Sequence, residues 1–339
     1  MRVRPDTVPQ TRERDWLVTC ARWAGLVLLA VLVGLPRPGA AAERLTVGLT
    51  SLIPSTIPLY LAKEQGFFDP EGLAVQIPVF SSGTQNVQAM LAGDVQVAFG
   101  SIEVLNLKKV GRDARFFWGI HNTMPFRLYS RPEIRSGKDL RGKRLAVSRF
   151  GAQSDTLTRY VLQHFGIEPV KEAAILQIGS TPARYAALKS GAVDATIMWF
   201  PQTLIADREG FRKLLDLSEI ITEWQYMAYF APVDYLRTHR DRVVRFLRGY
   251  LRGVRLAKQA PEEAIRLLMK VLKYPRDVAE AGYQEFVPSI PEDGRLALRG
   301  IEFLIDAEVK GGRLERRYSV QELVDPSFIE QLARGRRAE

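Results

Sequence analysis

Cysteine is almost absent from this chain of 339 residues: Cys20 is the only one, and it lies in the first forty-odd residues. If those residues are removed, the remaining chain can form no disulfide and has no thiolate to act as nucleophile or metal ligand. Only three histidines occur, and they are far apart in the chain. No H-E-x-x-H, G-x-S-x-G or P-loop pattern is found. The sequence therefore argues against an enzyme, and we expect neither a metal nor a cofactor.

A hydrophobic run long enough to span a membrane is also missing. The apolar run Trp23–Leu35 is shorter than the roughly 20 residues that a spanning helix needs. Arginines precede this run, and the small residues 40–42 follow it, which is the order of a secretory signal peptide. We predict cleavage after Ala42 and export to the periplasm. The alternative is an uncleaved anchor.

Charge of one sign dominates without forming a nucleic-acid site. The formal net charge is +10, and residues 1–42 contain six Arg and three acidic residues, so the remainder keeps about +7. No run of Lys and Arg interleaved with aromatic residues occurs, so we expect no nucleic-acid partner. The positive charge is compatible with an anionic ligand, although a general solubility bias is the plainer explanation.

An internal repeat is the most informative feature that is present. Segment 44–47 (RLTV) recurs as segment 144–147 (RLAV), and Gly66 recurs as Gly166. Each copy reads as strand, polar loop, helix, strand, helix and strand, with glycines where the helices should end. Such β-α-β-α-β units form right-handed parallel sheets with helices on their faces. We therefore predict an α/β fold with two lobes, each built from one copy.

Two strand-like segments outside the repeat, 126–130 and 226–231, should carry the chain from one lobe to the other and back. From about residue 232, three apolar stripes at helical spacing predict C-terminal helices that pack on the first lobe. The domains that we expect are a signal peptide (1–42), the first part of lobe one (43–125), lobe two (126–228) and the C-terminal helical part of lobe one (229–339).

Polar and glycine-containing loops follow several of the predicted strands. Ligands of open α/β sheets bind beyond the carboxyl ends of the strands, and helix amino ends favour negative charge. Neutral donors in these loops could therefore surround a small anion. The alternative is that the Ser and Thr residues only cap helices, as Thr181 before Pro182 would. The candidate ligand-binding residues are Ser55, Ser82, Gly83, Thr84, Ser101, Gly151, Gln153, Ser154 and Thr181.

Two aromatic residues end the third strand of the second copy. Trp199 and Phe200 should therefore lie at the edge of the sheet where a ligand would bind. Either ring could stack on a flat ligand or form a wall beside an alkyl chain. Packing in the core is the alternative for both, and we keep both as candidate ligand contacts.

Several segments together resemble a known family. They are PLYLAKEQGFF at 58–68, SGT at 82–84, AGDVQVAFG at 92–100, DLRGK at 139–143 and GAVDA at 191–195. They are similar to the NMT1/THI5-like, or SsuA-like and TauA-like, class of ABC-transporter substrate-binding proteins. That class includes proteins for nitrate, sulfonates, taurine and thiamine pyrimidines. The likeness extends from about Leu45 into the C-terminal region.

This resemblance implies a type II periplasmic-binding-protein fold and a solute-binding component of an ABC importer. Such a protein would bind a small polar or anionic organic molecule by hinge closure and deliver it to a membrane permease with a cytosolic ATPase. We expect a monomer. Two alternatives stay open: a ligand sensor of the same fold, and an enzyme of cofactor biosynthesis. The family's eukaryotic pyrimidine-synthesis relatives use a cysteine-rich iron motif that this chain lacks, so their activity is not carried over.

Overall fold

The computed structural model of the protein describes residues 42–80 and 83–338, with side chains up to residue 335. Except for Ala42, the predicted signal peptide lies outside the described residues, and so does the candidate Ser82. Among the described residues, no helix is both long enough and apolar enough to cross a bilayer. The chain from Glu43 onward forms one unit.

The strands are short, and most of their residues are buried. In order along the chain they are β1 (Glu43–Leu49), β2 (Leu73–Gln76), β3 (Val97–Gly100), β4 (Ala114–His121), β5 (Arg127–Ser130), β6 (Arg144–Val147), β7 (Ala174–Gln177), β8 (Ala195–Met198), β9 (Arg212–Asp216) and β10 (Met227–Pro232). All four residues of β3 and of β8 are buried. That burial explains why the central strands have continuous apolar sequences instead of an alternating pattern.

The α-helices connect these strands and form most of the chain after β10. They are α1 (Ile57–Glu64), α2 (Gly83–Leu91), α3 (Glu103–Lys109), α4 (Gln153–His164), α5 (Thr181–Ser190), α6 (Gln202–Arg208), α7 (Val233–Thr238), α8 (Arg240–Gln259), α9 (Pro261–Leu272), α10 (Arg276–Phe286), α11 (Leu298–Lys310) and α12 (Ser327–Ala338). Helix α5 begins at Thr181 itself, so the residue that caps it is Ser180, which accepts a hydrogen bond from the Ala183 amide.

Two five-stranded sheets of the same topology form the core. The order of the first is β2-β1-β3-β10-β4, and that of the second is β7-β6-β8-β5-β9. The internal repeat corresponds to β2-β1-β3 and β7-β6-β8, in which all neighbours are parallel. The registers also match, since Leu45 pairs with Val75 and Leu145 pairs with Ile175. The predicted α/β fold with two β-α-β-α-β lobes is confirmed.

The two predicted crossing segments become the antiparallel strands of the sheets. β5 follows the first crossing and lies between β8 and β9, whereas β10 follows the second crossing and lies between β3 and β4. Each sheet is therefore completed by a strand that arrives from the other sheet. The boundaries given above for the individual domains stay a prediction.

The C-terminal helices cover the first sheet, as expected. Helix α8 packs closely on α1, because a Cβ at Gly253 would lie only 2.1 Å from the carbonyl oxygen of Pro58. A side chain at this position would force the two helices apart. Next to it, the ring of Phe68 stacks on Phe246 with centroids 5.7 Å apart.

Helix α11 also contacts the second sheet's helix α4. The Phe303 ring lies edge-on to Tyr160, with centroids 4.8 Å apart. Glu308 is fully buried and accepts a hydrogen bond from Thr156 of α4 at 2.9 Å. Lys109 of α3 and Arg313 complete this cluster, with nitrogen–oxygen distances to Glu308 of 3.2 and 2.9 Å. One buried carboxylate thus connects α3, beside the first sheet, with α4, beside the second.

Candidate functional site

Four of the buried polar atoms that form no hydrogen bond within the described part of the chain lie at or follow the carboxyl ends of β1, β4, β6 and β7. Such atoms are uncommon in folded proteins and require an explanation. They come from both lobes, since Ser55 and His121 follow or end strands of the first sheet and the other two follow strands of the second. The atoms are Ser55 Oγ, His121 Nδ1, Gln153 Nε2 and Arg184 Nε.

Arg184 is the most informative of these residues. It lies in α5 and is 1% exposed. Its guanidinium donates hydrogen bonds to the carbonyl of Gly179 at 2.7 Å, to Thr181 Oγ1 at 3.1 Å and to the carbonyl of Ile197 at 3.2 Å. No acidic side chain of the described residues offsets its charge, and burial lowers its pKa to about 10. Buried cations are normally paired, so this residue is suited to receive an anion.

Trp199 lies beside Arg184 and is half-buried. The guanidinium carbon is 5.8 Å from the centre of the indole ring, which is a cation–π distance. The indole also contacts Phe126 of the first crossing, edge-on at 5.2 Å between centroids. The structure therefore brings the candidates Thr181 and Trp199 together, around an arginine that the sequence analysis did not select.

The side chain of Phe200 is buried in the core and does not face solvent. It is 1% exposed, and its ring contacts Tyr274 and Phe286 of the C-terminal region at 5.8 and 5.9 Å between centroids. A Cβ at Gly282 of α10 would lie 2.9 Å from this ring. Phe200 thus packs the second sheet against α10, and its role as a ligand contact stays a prediction.

The loop between β6 and α4 is fixed by a series of hydrogen bonds. Ser154 Oγ accepts from the amide of Ser148 at 2.9 Å, and the Asp155 carboxylate accepts from the amide of Gly151 at 2.9 Å. Gly151 has a φ of +77°, which favours glycine. Ser154 is thereby committed to its own loop, whereas Gln153 retains a buried amide nitrogen without a partner in the described chain.

The corresponding loops of the first sheet lie against a carboxylate, whereas the sequence predicted only neutral donors there. Thr84 is exposed, and Gly83 opens α2. Ser101 donates its hydroxyl to the carbonyl of Gln225 at 2.7 Å, and its amide donates to Glu103 at 2.7 Å. The Glu103 carboxylate therefore uses a backbone donor that the sequence analysis had reserved for a ligand anion.

The crossing segments are joined by a buried glutamine. The Gln225 side-chain amide donates to Asn122 Oδ1 at 2.9 Å and to the carbonyl of Met227 at 2.8 Å. Its oxygen accepts from the amide of Ala297 at 2.8 Å. His121, at the end of β4, contacts the Tyr226 ring, and burial lowers its pKa to about 4. Both crossings are thus connected to each other and to the segment that precedes α11.

Sequence reasoning missed Arg184 and Glu103, although the first of them left a signal. Thr181, Arg184 and Leu188 are the buried residues of α5, and their spacing is that of one helix face. An arginine on an otherwise buried face is unusual and could have been noticed. Glu103 has no comparable periodic signal, because α3 has only seven residues.

A cavity of about 1070 Å³ lies elsewhere in the first lobe. Its lining includes Arg44 at the start of β1, Gln96 just before β3 and Pro232 at the end of the antiparallel β10. These residues mark the amino ends of the parallel strands. The cavity is therefore separate from the candidate site at the carboxyl ends.

Comparisons with known proteins agree with this architecture. The putative aliphatic sulfonates-binding protein of Bacillus subtilis is 24% identical over 328 residues, which cover 90% of this chain and 95% of that protein. The periplasmic aliphatic sulphonate binding protein SsuA from Escherichia coli superimposes with a TM-score of 0.71 at 19% identity, over 85% of this chain and 99% of that one. A mutant of DszB in complex with biphenyl-2-sulfinic acid superimposes with a TM-score of 0.65 at 19% identity, over 86% of this chain and 99% of that one.

The family assignment rests on a match across most of the described chain. A family model described as NMT1/THI5 like matches residues 53–264. This range begins just after β1 and ends inside α9. Apart from β1, it therefore includes every strand of both sheets, and it also includes the loops at their carboxyl edges. It also includes Arg184 and Trp199. The chain is therefore a member of the NMT1/THI5-like family.

Proposed function

We propose that this protein is a periplasmic solute-binding protein that captures a small organic anion between its two lobes and delivers it to an ABC importer. The observation that carries the proposal is Arg184, a buried guanidinium with no acidic partner among the described residues, at the carboxyl edge of the second sheet. An anion there would replace the missing counter-charge with charge-assisted hydrogen bonds. The half-buried Trp199 would contact the body of the same ligand.

The site in this proposal includes Arg184, Trp199 and the atoms that lack partners in the described chain, in Ser55, Gln153 and His121. The further candidates from the sequence are Ser82, Gly83, Thr84, Ser101, Gly151 and Ser154. Because the hydroxyls of Ser101 and Ser154 already have partners within the protein, we rank these two below Arg184. Phe200 was a further candidate, and we rank it below Trp199 because its ring is buried against Tyr274 and Phe286.

Hinge closure about the two crossings is the proposed mechanism. The crossings are short, running from His121 to Arg127 and from Asp216 to Met227. Arg127 forms an ion pair with Glu285 of α10 at 3.1 Å, so contacts between lobes already exist near the hinge. Residues 43–125 with 229–339, and residues 126–228, would move as the two bodies. Small-angle scattering should show compaction when a verified ligand is added.

The partners follow from the same proposal. The relatives are named as binding proteins, one of them periplasmic, and an importer would supply the membrane permease and the ATPase. The protein would act as a monomer after removal of residues 1–42. Mass spectrometry of exported protein would test cleavage after Ala42, and light scattering would test the monomeric state.

A screen of anions tests the binding function. Purified protein is titrated by calorimetry with ethanesulfonate, benzenesulfonate, nitrate, propanoate, benzoate and a neutral pyrimidine. The proposal expects at least one organic anion to bind, at about 100 times its Kd raising the stability of the fold by about 2.7 kcal/mol. Binding of the neutral pyrimidine alone, or anion binding that survives Arg184→Gln, would contradict it.

An enzyme of the same fold, which would convert the anion that it binds, is the second candidate. The bound anion should be recovered unchanged if the protein only binds it. Incubation with each ligand that binds, followed by chromatography of the supernatant, distinguishes the two. A third candidate, a ligand sensor, would bind the same anion but would not restore its uptake in cells that lack the protein.

A further inference from the structure

Helix α10 of the C-terminal region packs against residues of both lobes. Gly282 is a point of close approach, because a Cβ there would lie 2.9 Å from the ring of Phe200, after β8, and 3.1 Å from Pro54, after β1. The ring of Phe286 contacts Phe200 at 5.9 Å and His121, at the end of β4, at 5.2 Å between centroids. The position of α10 therefore depends on how the two lobes are arranged.

An ion pair joins the same helix to the second sheet. Arg127 Nη1 donates a hydrogen bond to Glu285 Oε1 of α10 at 3.1 Å, and Arg127 Nε donates to Asp216 Oδ2 at 3.0 Å. Arg127 ends the first crossing, and Asp216 begins the second. The side chains of Arg127 and Glu285 are only 25% and 27% exposed. The pair thus connects α10 to the place where both crossings meet the second sheet.

Glu285 shares this one cation with other carboxylates. Asp216 pairs with the same arginine, and Asp207 of α6 lies near enough to act on Glu285 while it accepts a hydrogen bond from Tyr129 at 2.7 Å. Burial raises the pKa of Glu285, Arg127 lowers it, and the two aspartates raise it further. Replacement of Glu285 by neutral glutamine relieves this repulsion. The fold should therefore tolerate that change, whereas the ionic link to α10 is lost.

The helix reaches the candidate site through a single residue. Phe200, which packs against α10, directly follows Trp199 in the chain. The indole of Trp199 lies 5.8 Å from the guanidinium carbon of Arg184. Because Trp199 and Phe200 share a backbone, a displacement of Phe200 together with α10 would also move Trp199 relative to Arg184.

We propose that Glu285 is a positioning residue for ligand binding: its pairing with Arg127 holds α10 against Phe200 and thereby keeps Trp199 beside Arg184. This role rests on the solute-binding function proposed above and adds to it the contact that keeps the site formed. Coupling between two sites is reciprocal, so a ligand that contacts Trp199 also stabilises the position of α10.

Glu285→Gln and a matched control on the same helix test this role. Asp277 of α10 also pairs with the second lobe, through Arg208 of α6 at 2.8 Å, but both of these side chains are more than half exposed. Such a pair contributes little, so Asp277→Asn should leave affinity unchanged. Calorimetry with ethanesulfonate, benzenesulfonate, propanoate and benzoate gives the Kd values. Each probe that binds the natural protein should bind Glu285→Gln about 5- to 10-fold more weakly, at the lower end of coupling between sites.

Quenching of tryptophan emission by acrylamide supplies a second readout, which a small loss of stability would not change. From residue 43 onward the other tryptophans are Trp118 and Trp224, and both are fully buried, so the quencher reaches chiefly Trp199. Without any probe present, the quenching constant should rise in Glu285→Gln, because Trp199 is held less firmly. It should keep its natural value in Asp277→Asn.

The outcomes separate this role from the proposed function. Unchanged affinity in Glu285→Gln, weaker binding without a change in quenching, or equal weakening in Asp277→Asn overturns the role of Glu285 while anion binding stands. If none of the four probes binds the natural protein, the proposed function fails and the role fails with it. If Glu285→Gln does not fold, hydrogen exchange of the natural protein decides: a bound probe should slow the exchange of the α10 amides, and unchanged exchange there overturns the role.

Discussion

Arg184 and Trp199 form a cation–π contact of 5.8 Å at the carboxyl edge of the second sheet. They come from different elements, since Arg184 lies in α5 and Trp199 directly follows β8. Arg184 donates a hydrogen bond to the carbonyl of Ile197, the second residue before Trp199. The end of β8 and the first turns of α5 are therefore held together by a cation that itself has no counter-charge among the described residues.

Arg184→Gln should weaken the binding of organic anions by about 10- to 100-fold. Hydrogen bonds to charged groups contribute about 1.5–3 kcal/mol, and glutamine removes the charge. The free energy of unfolding should change by less than about 1 kcal/mol, because relief of a buried charge offsets the lost hydrogen bonds. Calorimetry and urea denaturation measure the two effects.

The control for this variant is Arg144→Gln. Arg144 pairs with Asp194 at 2.9 Å and lies at the opposite, amino end of β6. It should leave anion affinity unchanged. Loss of stability by several kcal/mol in Arg184→Gln, without loss of affinity, would instead assign Arg184 to packing.

Trp199→Phe should remove most of the change in fluorescence that a bound ligand causes. The other tryptophans of the described residues, Trp118 and Trp224, are fully buried, so ligand contact should alter the emission of Trp199 alone. Affinity should fall by only a fewfold, because phenylalanine retains an aromatic face. Emission spectra with and without ligand provide the measurement. A ligand-dependent change that persists in the variant would contradict the position of the site.

Glu308→Gln should lower the free energy of unfolding by about 2 kcal/mol. The carboxylate is buried, and its removal leaves Lys109 and Arg313 without their shared partner. Urea denaturation measures the change. Glu330→Gln is the matched control, since Glu330 is exposed and pairs with Arg334 at 3.6 Å, and such pairs contribute at most about 1 kcal/mol. Equal effects of both variants would show that the buried cluster contributes no more to the free energy of unfolding than an exposed ion pair does.

Stability should fall between pH 6.5 and about pH 4 in part because of His121. Burial lowers its pKa from 6.5 to about 4, so over this range the unfolded chain binds a proton that the folded protein does not. The stability that neutral His121 contributes is therefore complete above pH 6.5 and decreases as the pH falls. The expected loss is about 3 kcal/mol at most.

His121→Gln isolates this contribution. Glutamine cannot titrate but can still reach Thr123, which lies 2.9 Å from the histidine Nε2. Urea denaturation at pH 7 and pH 4.5 should show a smaller loss of stability in the variant than in the natural protein. Identical pH dependence of the two proteins would mean that the pKa of His121 is the same in the folded and the unfolded protein.

Features that depend on local pattern were accessible from the sequence. The recurrence of segment 44–47 as 144–147 predicted β1 and β6, and the glycines predicted where helices end. Segments 126–130 and 226–231 were predicted as strands that cross between the lobes, because the copies of the repeat had to be connected, and the structure places them within the sheets as β5 and β10. The likeness to the NMT1/THI5-like family rested on the same short segments and agrees with the family match.

The sequence by itself thus determined the three parallel strands of each repeat copy and the two crossing strands, whereas β4 and β9 and the antiparallel place of β10 and β5 in the sheets came only from the structure. Only the tertiary structure decided which residues at these edges lack partners. Ser101 and Ser154 are bonded within the protein, and Phe200 is covered by α10. Arg184 lacks a counter-charge in the described chain for the same physical reason: partners come from segments that are distant in the chain, so whether a charge is paired depends on packing and not on its neighbours in sequence.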